Sequence, residues 1–236
     1  MNLLLLTADD YVEPDLARLS GRRLTHVHDV HRAAVGDVLK VGLQNGLMGS
    51  GEIVALSRDE LVVRTQLNLP PPEKLPLTLL LALPRPKMLK RILQSVAAMG
   101  VQRLVLMNSY RVEKSFWDSP WLAPDAVREQ LVLGLEQARD TVLPEVIIEP
   151  RFKPFVEDRL PALCLNSRCY VAHPGVSAPC PVALNQPLTL AIGPEGGFIP
   201  YEVEKLVATG FEAVHLGPRI LRVETAVTAL IARLFV

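Results

Sequence analysis

Three glycine- and proline-bearing segments carry the residue types from which a ligand pocket can be built: Tyr170-Val-Ala-His-Pro-Gly175, Ala191-Ile-Gly-Pro-Glu-Gly-Gly197 and Leu216-Gly-Pro-Arg-Ile-Leu-Arg222. Gly193, Gly196 and Gly197 lack Cβ atoms where the backbone turns or approaches a ligand, and exposed amides and carbonyls in such loops can hydrogen-bond an adenine edge. The same glycines also suit a tight connection with no ligand. His173 has the chemistry to abstract a proton near neutral pH, or to line the pocket through a hydrogen bond. Glu195 is the nearest carboxylate, and beside a helix start it complements the helix dipole. Other chemistries are excluded by pattern. There is no Gly-Lys-Ser/Thr phosphate loop, no Gly-x-Ser-x-Gly elbow, and no Gly-x-Gly-x-x-Gly after a strand. Cys164, Cys169 and Cys180 are odd in number and contain no C-x-x-C pair, so reduced structural thiols are expected and no metal.

These segments must be held by elements, and the hydrophobic pattern supplies them. Beyond residue 76 it alternates strand and helix: strands at 77–82, 103–108, 145–149, 169–172, 188–192 and 213–216, helices at 87–99, 124–139, 155–163, 201–209 and 225–235. Strands joined by helices imply a mainly parallel sheet covered on both faces, with ligands bound beyond the carboxyl ends of its strands. All three segments follow such ends. Residues 1 to about 68 read differently, as short strands at 2–6, 38–42, 51–56 and 60–66 separated by turn residues, which suggests a small barrel. Asn45-Gly46 marks a hairpin, and Gly46, Gly49 and Gly51 suit turns or bulges. Pro70, Pro71, Pro72 and Pro76 interrupt regular structure, so the boundary is drawn there: one domain over 1–70, a second over 74–236.

Composition bounds the partners. The 236 residues carry 25 basic and 25 acidic side chains with 49% hydrophobic residues, the profile of a folded domain pair rather than a disordered chain. No run approaches the ~20 apolar residues of a membrane span. The apolar Met1–Leu6 lacks a basic flank and soon meets Asp9 and Asp10, so it reads as an opening strand of a cytoplasmic protein. Zero net charge argues against a purely electrostatic polyanion binder. Locally the balance differs. Arg18, Arg22, Arg23, Arg32 and Lys40 face only Asp29 and Asp37, while Arg85, Lys87, Lys90, Arg91, Arg103, Arg111 and Lys114 face Glu113 alone. Each run alone fits a solvated helix face, and together they fit RNA contact.

In combination the motifs are specific. Ile192-Gly-Pro-Glu-Gly-Gly-Phe198, followed by Leu216-Gly-Pro-Arg-Ile-Leu-Arg-Val-Glu-Thr-Ala226, closely resembles the SPOUT methyltransferases that methylate uracil N3 in 16S ribosomal RNA. His28-Asp-Val-His-Arg-Ala-Ala-Val-Gly-Asp37 is similar to that family's PUA-like RNA-binding β-barrel; Lys87-Met88, Gln94 and Gly100-Val101 match its first helix; Glu136-Gln137 and Pro144-Glu145 match its middle motif. The resemblance spans nearly the whole chain. It implies an α/β fold with a trefoil knot, S-adenosyl-L-methionine as cofactor, a homodimer, and 16S ribosomal RNA or the 30S subunit as partner. The cofactor residues it implies are His173, Pro174, Gly175, Ile192, Gly193, Pro194, Glu195, Gly196, Gly197, Leu216, Gly217, Ile220, Leu221, Thr225 and Ala226, with Leu216, Ile220 and Leu221 as apolar walls that as sequence alone fit a core equally well. Arg222, with Arg219 nearby, is placed to stabilise a developing uracil anion, or else to cap a helix or pair with Glu224 or Glu195. Arg22, Arg23 and Arg32 would meet phosphates, and Arg85, Lys87 and Arg111 would extend the track.

The chain departs from the family pattern at Ser95 and Ala98, where Lys and Glu are usual, at His31, and at Arg139, which is displaced by one and followed by Asp140. Those departures motivate a rival reading, an RNA-binding or ribosome-assembly protein that keeps the knotted fold without turnover. A further alternative keeps catalysis but changes the acceptor to a ribose 2′-hydroxyl or a transfer-RNA base.

Overall fold

β-branched and leucine-rich runs build two sheets of six strands each. The computed structural model describes residues 2–184 and 186–235. The chain divides into two units, Met1–Glu73 with Leu131–Leu143, and Lys74–Gln130 with Pro144–Val236.

The first unit contains β1 (Leu4–Leu6), β2 (Tyr11–Glu13), β3 (Leu16–Leu19), helix α1 (Gly21–His26), β4 (Val38–Leu43), β5 (Met48–Leu56) and β6 (Leu61–Leu69). Their order is β1-β4-β5-β6-β3-β2, with β1 and β4 parallel and the remaining pairs antiparallel. The sheet curls into a half-barrel whose edges, the three-residue strands β1 and β2, do not pair with one another. Leu6, Val41, Ile53, Leu61 and Val63 fill its concave core, each removing about 1.5–3 kcal/mol worth of apolar surface from water. The Asn45-Gly46 turn forms as its composition predicts, with Asn45 at φ +58° joining β4 to β5. Gly51 lies within β5 rather than in a turn: a Cβ there would stand 2.4 Å from Cγ1 of Val63.

Residues 131–143 belong to this unit through backbone bonds. The amides of Asn2 and Leu3 donate to the Glu136 carbonyl (2.9 and 3.0 Å), and that of Asn45 donates to Thr141 (2.8 Å). The linear boundary drawn in the proline run did not foresee this discontinuous grouping.

The second unit contains β7 (Leu75–Ala82), α2 (Pro86–Ala98), β8 (Val101–Met107), the start of α3 (Pro124–Ala138), β9 (Glu145–Glu149), short helices α4 (Phe152–Pro154) and α5 (Leu160–Leu163), β10 (Arg168–Ala172), β11 (Leu188–Ile192), α6 (Pro200–Ala208), β12 (Glu212–Val214) and α7 (Val223–Phe235). All six strands are parallel, in the order β12-β10-β11-β7-β8-β9. Every residue of β11 is buried, as a central strand covered on both faces requires. Leu89, Ile92, Leu93, Val96 and Ala97 give α2 one apolar stripe, and Val223, Val227, Leu230, Ile231 and Leu234 give α7 another; the two helices pack together. The stretch between β10 and β11 is clasped by later chain: Cys180 donates its amide to His215, Ala183 to Arg233 and Leu184 to Leu234. No described helix is long and apolar enough to cross a membrane.

Candidate active site

Parallel strands place all their carboxyl ends on one edge, so the turns after β7, β8, β10, β11 and β12 lie along that edge in the order of the sheet. The three glycine- and proline-bearing segments are therefore brought together, since β12, β10 and β11 are immediate neighbours.

Side chains and backbone tie these turns to one another. His173 donates its amide to the Val214 carbonyl (3.0 Å), linking the β10 and β12 turns. Within the last turn, Gly217 donates to Nδ1 of His215 at 2.8 Å, and the His215 amide donates to Ala178. Arg111, after β8, donates a guanidinium N–H to the carbonyl of Gly196. Glu195 accepts from the Arg85 amide at 3.2 Å and faces its guanidinium at 3.8 Å. Thus Glu195 orients towards the β7 turn, and the first-turn acid of α6 is Glu202 instead.

Glu202 is the functional residue that sequence reasoning missed. Its carboxylate is 2% exposed. It accepts from the amide of Tyr110 (2.7 Å), the hydroxyl of Ser109 (3.1 Å) and the amide of Ile199 (3.0 Å). One carboxylate thereby fixes both the β8 turn and the entry to α6. The available signal was Ile199-Pro-Tyr-Glu202, a proline at the first helical position followed by an acid at the third.

The pocket residues differ in exposure. Ile192, Gly193 and Pro194 are buried, Leu216 and Gly217 are half-buried, and Pro174, Gly175, Glu195 and Gly196 are exposed. Gly193 cannot carry a side chain, since a Cβ there would lie 2.9 Å from the Phe198 amide nitrogen and 3.2 Å from its ring. Gly197 turns the chain at φ +72°. Ile220 is 82% exposed, and Leu221 is exposed as well, which excludes a core role for either. Nδ1 of His173 is buried and has no hydrogen-bond partner among the described residues. An orphaned ring nitrogen, a turn without a Cβ and two uncovered aliphatic side chains fit a ligand that is polar at one end and flat and apolar at the other.

Arg222 ends the last of these turns. Its carbonyl accepts from Ala226 at the start of α7, which also carries Thr225. Its side chain is exposed and forms no bond to Glu224, Glu195 or any other described residue, so the ion-pair alternatives are absent and the guanidinium is available. Arg85 and Lys87 are exposed, with Lys87 in the first turn of α2.

In the first unit the expected cations separate into two groups. Arg22 forms a two-pronged pair with the buried Glu136 at 2.7 and 3.0 Å. Arg23 pairs with Asp10 at 2.7 and 2.6 Å and also donates to the Leu5 carbonyl. Both guanidiniums, expected to meet phosphates, are engaged in ion pairs within the first unit, whereas Arg32 is exposed at φ +49°. Burial opposes the charge of Asp10, but the Arg23 hydrogen bonds, that from Thr7, and the Arg23 charge outweigh it and hold the carboxyl below its usual range. All three cysteines are free, and burial pushes the Cys180 thiol up. Among the described residues no three His, Cys, Asp or Glu side chains gather as a metal site would need.

The model of an RNA methyltransferase domain matches residues 71–235. Ribosomal RNA small subunit methyltransferase E of Treponema pallidum is 31% identical, over 98% of this chain and 90% of that protein. The protein of the same name from Synechocystis sp. is 30% identical over 68% of this chain and 53% of its own length. Among solved structures, Ribosomal RNA small subunit methyltransferase E from Neisseria gonorrhoeae, bound to S-adenosyl methionine, shares the fold with a TM-score of 0.76 at 20% identity, over 98% of this chain and 95% of that one.

Proposed function

The chain belongs to the family defined by the RNA methyltransferase domain, and from that premise we propose that it transfers a methyl group from S-adenosylmethionine to N3 of a uridine in 16S ribosomal RNA. The observation that carries this reading is the convergence of the turns after β10, β11 and β12 around an unpartnered His173 nitrogen and a Gly193 that leaves no room for a Cβ.

The bound cofactor supplies an electrophilic methyl group on a sulfonium. The chain's own residues do the remainder. Ile220, Leu221 and Leu216 offer apolar surface to an adenine, while the 193–197 and 216–221 backbone and His173 offer polar contacts at its edge. Pro174, Gly175 and the first turn of α7 at Thr225 and Ala226 are assigned to the same cofactor site by the family resemblance. Displacement at a methyl carbon is in-line, so holding donor and acceptor in near-attack geometry contributes several kcal/mol. Arg222, exposed and unpaired among the described residues, is the group suited to stabilise the uracil oxygens as negative charge develops when N3 gives its proton to water. Paired uracil hides N3, so the base is presented single-stranded or splayed out.

Arg32 in the first unit and Arg85, Lys87 and Arg111 in the second serve as phosphate contacts, although Arg111 also braces Gly196. The knot, the homodimer and a cytoplasmic setting beside the assembling 30S subunit belong to the same reading. The exposed Ile220 and Leu221 are apolar surface that a second copy or the cofactor would cover.

Arg222→Ala tests the assignment. Calorimetry is expected to find S-adenosylmethionine binding retained within about twofold, while methyl transfer to undermethylated 30S subunits falls by about 10²-fold or more, the scale of losing one preorganised charge donor. Equal turnover in the variant would remove Arg222 from the mechanism, and binding without any transfer by the unmodified chain would favour a non-catalytic assembly role.

A further inference from the structure

The first unit carries a hollow of about 240 Å³. Leu3, Leu4 and Val27 lie buried beneath it, and the apolar surface it exposes comes from Val38 and the half-buried Leu39 on β4. Its rim is polar and cationic: Asn2, His31, Lys40 and Arg139, with no acidic side chain among the lining residues.

Each rim group is held or free in a way that points to a ligand. The side chains of Lys40 and Arg139 are exposed and make no hydrogen bond or ion pair with any described residue. Arg139 follows the last turn of α3 at φ +59°, and the Asp140 amide closes that turn on the Leu135 carbonyl at 3.1 Å. Helices usually place glycine at this left-handed position, so an arginine there is retained against a conformational cost. The His31 ring stands edge-on to His26, with centroids 5.1 Å apart. Asn2 donates its side-chain amide to the Gln137 carbonyl at 2.8 Å, which leaves Oδ1 as an open acceptor.

We propose that this hollow seats one unpaired nucleotide of the RNA substrate, its base against Val38 and Leu39, and its flanking phosphates on Lys40 and Arg139. The inference rests on the RNA reading above and adds a contact point that none of the expected arginines supplies. Drug-sized ligands occupy about 300–1,000 Å³, so the hollow is too small for a second large cofactor. A single base is a planar apolar body with polar edges, and single-stranded RNA presents it beside two anions. Asn2 Oδ1 then accepts from a ring or exocyclic N–H, which favours bases that offer one on the exposed edge.

The test uses the full chain and a fluorescent single-stranded oligoribonucleotide, in anisotropy titrations over a range of salt. Arg139→Gly and Lys40→Gln are each expected to weaken binding about tenfold and to lower the log–log salt slope by about 0.7 per lost phosphate contact. Arg139→Gly is also expected to raise the melting temperature, because glycine relieves the left-handed backbone, so weaker binding cannot be ascribed to unfolding. An oligonucleotide with abasic positions is expected to bind the unmodified chain more weakly. Unchanged affinity in both variants would overturn the proposal; equal binding of the abasic oligonucleotide, or equal competition by inorganic polyphosphate, would reduce the site to a phosphate contact and overturn the nucleotide seat. S-adenosylmethionine calorimetry on the same samples keeps the two readings apart, since lost cofactor binding would refute the methyl-transfer reading and leave the oligonucleotide result standing.

Discussion

Glu202→Gln isolates the contribution of one buried carboxylate to the shape of the active-site edge. Oε1 accepts from the Tyr110 amide, and Oε2 from Ser109 and Ile199. Glutamine preserves the outline but places an NH2 where one oxygen was. If that NH2 faces Ser109, the hydroxyl can rotate to accept, yet the Ile199 N–H still loses its partner. If it faces the other way, the Tyr110 N–H loses its partner. One buried donor left unpaired costs about 1–3 kcal/mol, and the surviving bonds lose their charge assistance. The expected destabilisation is about 2–3 kcal/mol. For a chain of this length that corresponds to a fall of about 4–12 °C in the transition that melts the second unit. Differential scanning calorimetry reads it directly, and titration with S-adenosylmethionine is expected to show weaker binding as well, because the same carboxylate fixes the Ser109–Arg111 turn from which Arg111 reaches Gly196. A variant that melts within 1 °C of the unmodified chain would refute the claim that this network organises the edge.

Two further perturbations probe other parts of the account. Gly193→Ala puts a methyl group 2.9 Å from the Phe198 amide nitrogen, so the turn after β11 must shift, and cofactor affinity is expected to drop at least tenfold by calorimetry while the far-ultraviolet spectrum is unchanged. Asp10 has its carboxyl lowered in the folded chain, so its pairing with Arg23 stabilises the first unit fully above the unfolded carboxylate range, near pH 4, and loses that contribution as pH falls through the folded value. Asp10→Asn is expected to cost about 2 kcal/mol at pH 7, measured by urea unfolding, and to flatten the acid limb of the stability curve; an unchanged acid limb would show that the pair carries no linkage.

The second unit was the more legible in sequence. Its strands are apolar runs, most of them separated by helices, and the expected bounds of 145–149 and 188–192 coincide with β9 and β11. The first unit hid more. β2 and β3 are three and four residues long around Pro14-Asp15, too short to show a period of two. The helical stretch Gly21–His31 carries only Leu24 and Val27 as buried residues among arginines and histidines, and its basic face dominated the reading. Within the candidate site, glycine turns announce themselves by residue type. Buried carboxylates do not: Glu202 and Glu136 look like solvated acids until the fold supplies Ser109, Tyr110 and Arg22. For the same reason the pairing of Arg22 with Glu136 and of Arg23 with Asp10 is hidden in the sequence, and Arg139 shows there only as a displaced family residue, its left-handed backbone being visible only in the structure.

The central claim is that the turns after β10, β11 and β12 hold a methyl donor beside an arginine that activates a uracil. The most direct measurement is incubation of the full chain with methyl-labelled S-adenosylmethionine and 30S subunits lacking the modification, followed by nuclease digestion and mass spectrometry of the nucleosides. The account predicts label in 3-methyluridine alone, at about one methyl group per subunit, the stoichiometry of a single-uridine target. Label on a ribose 2′-oxygen or another base, or no label despite cofactor binding, would contradict it.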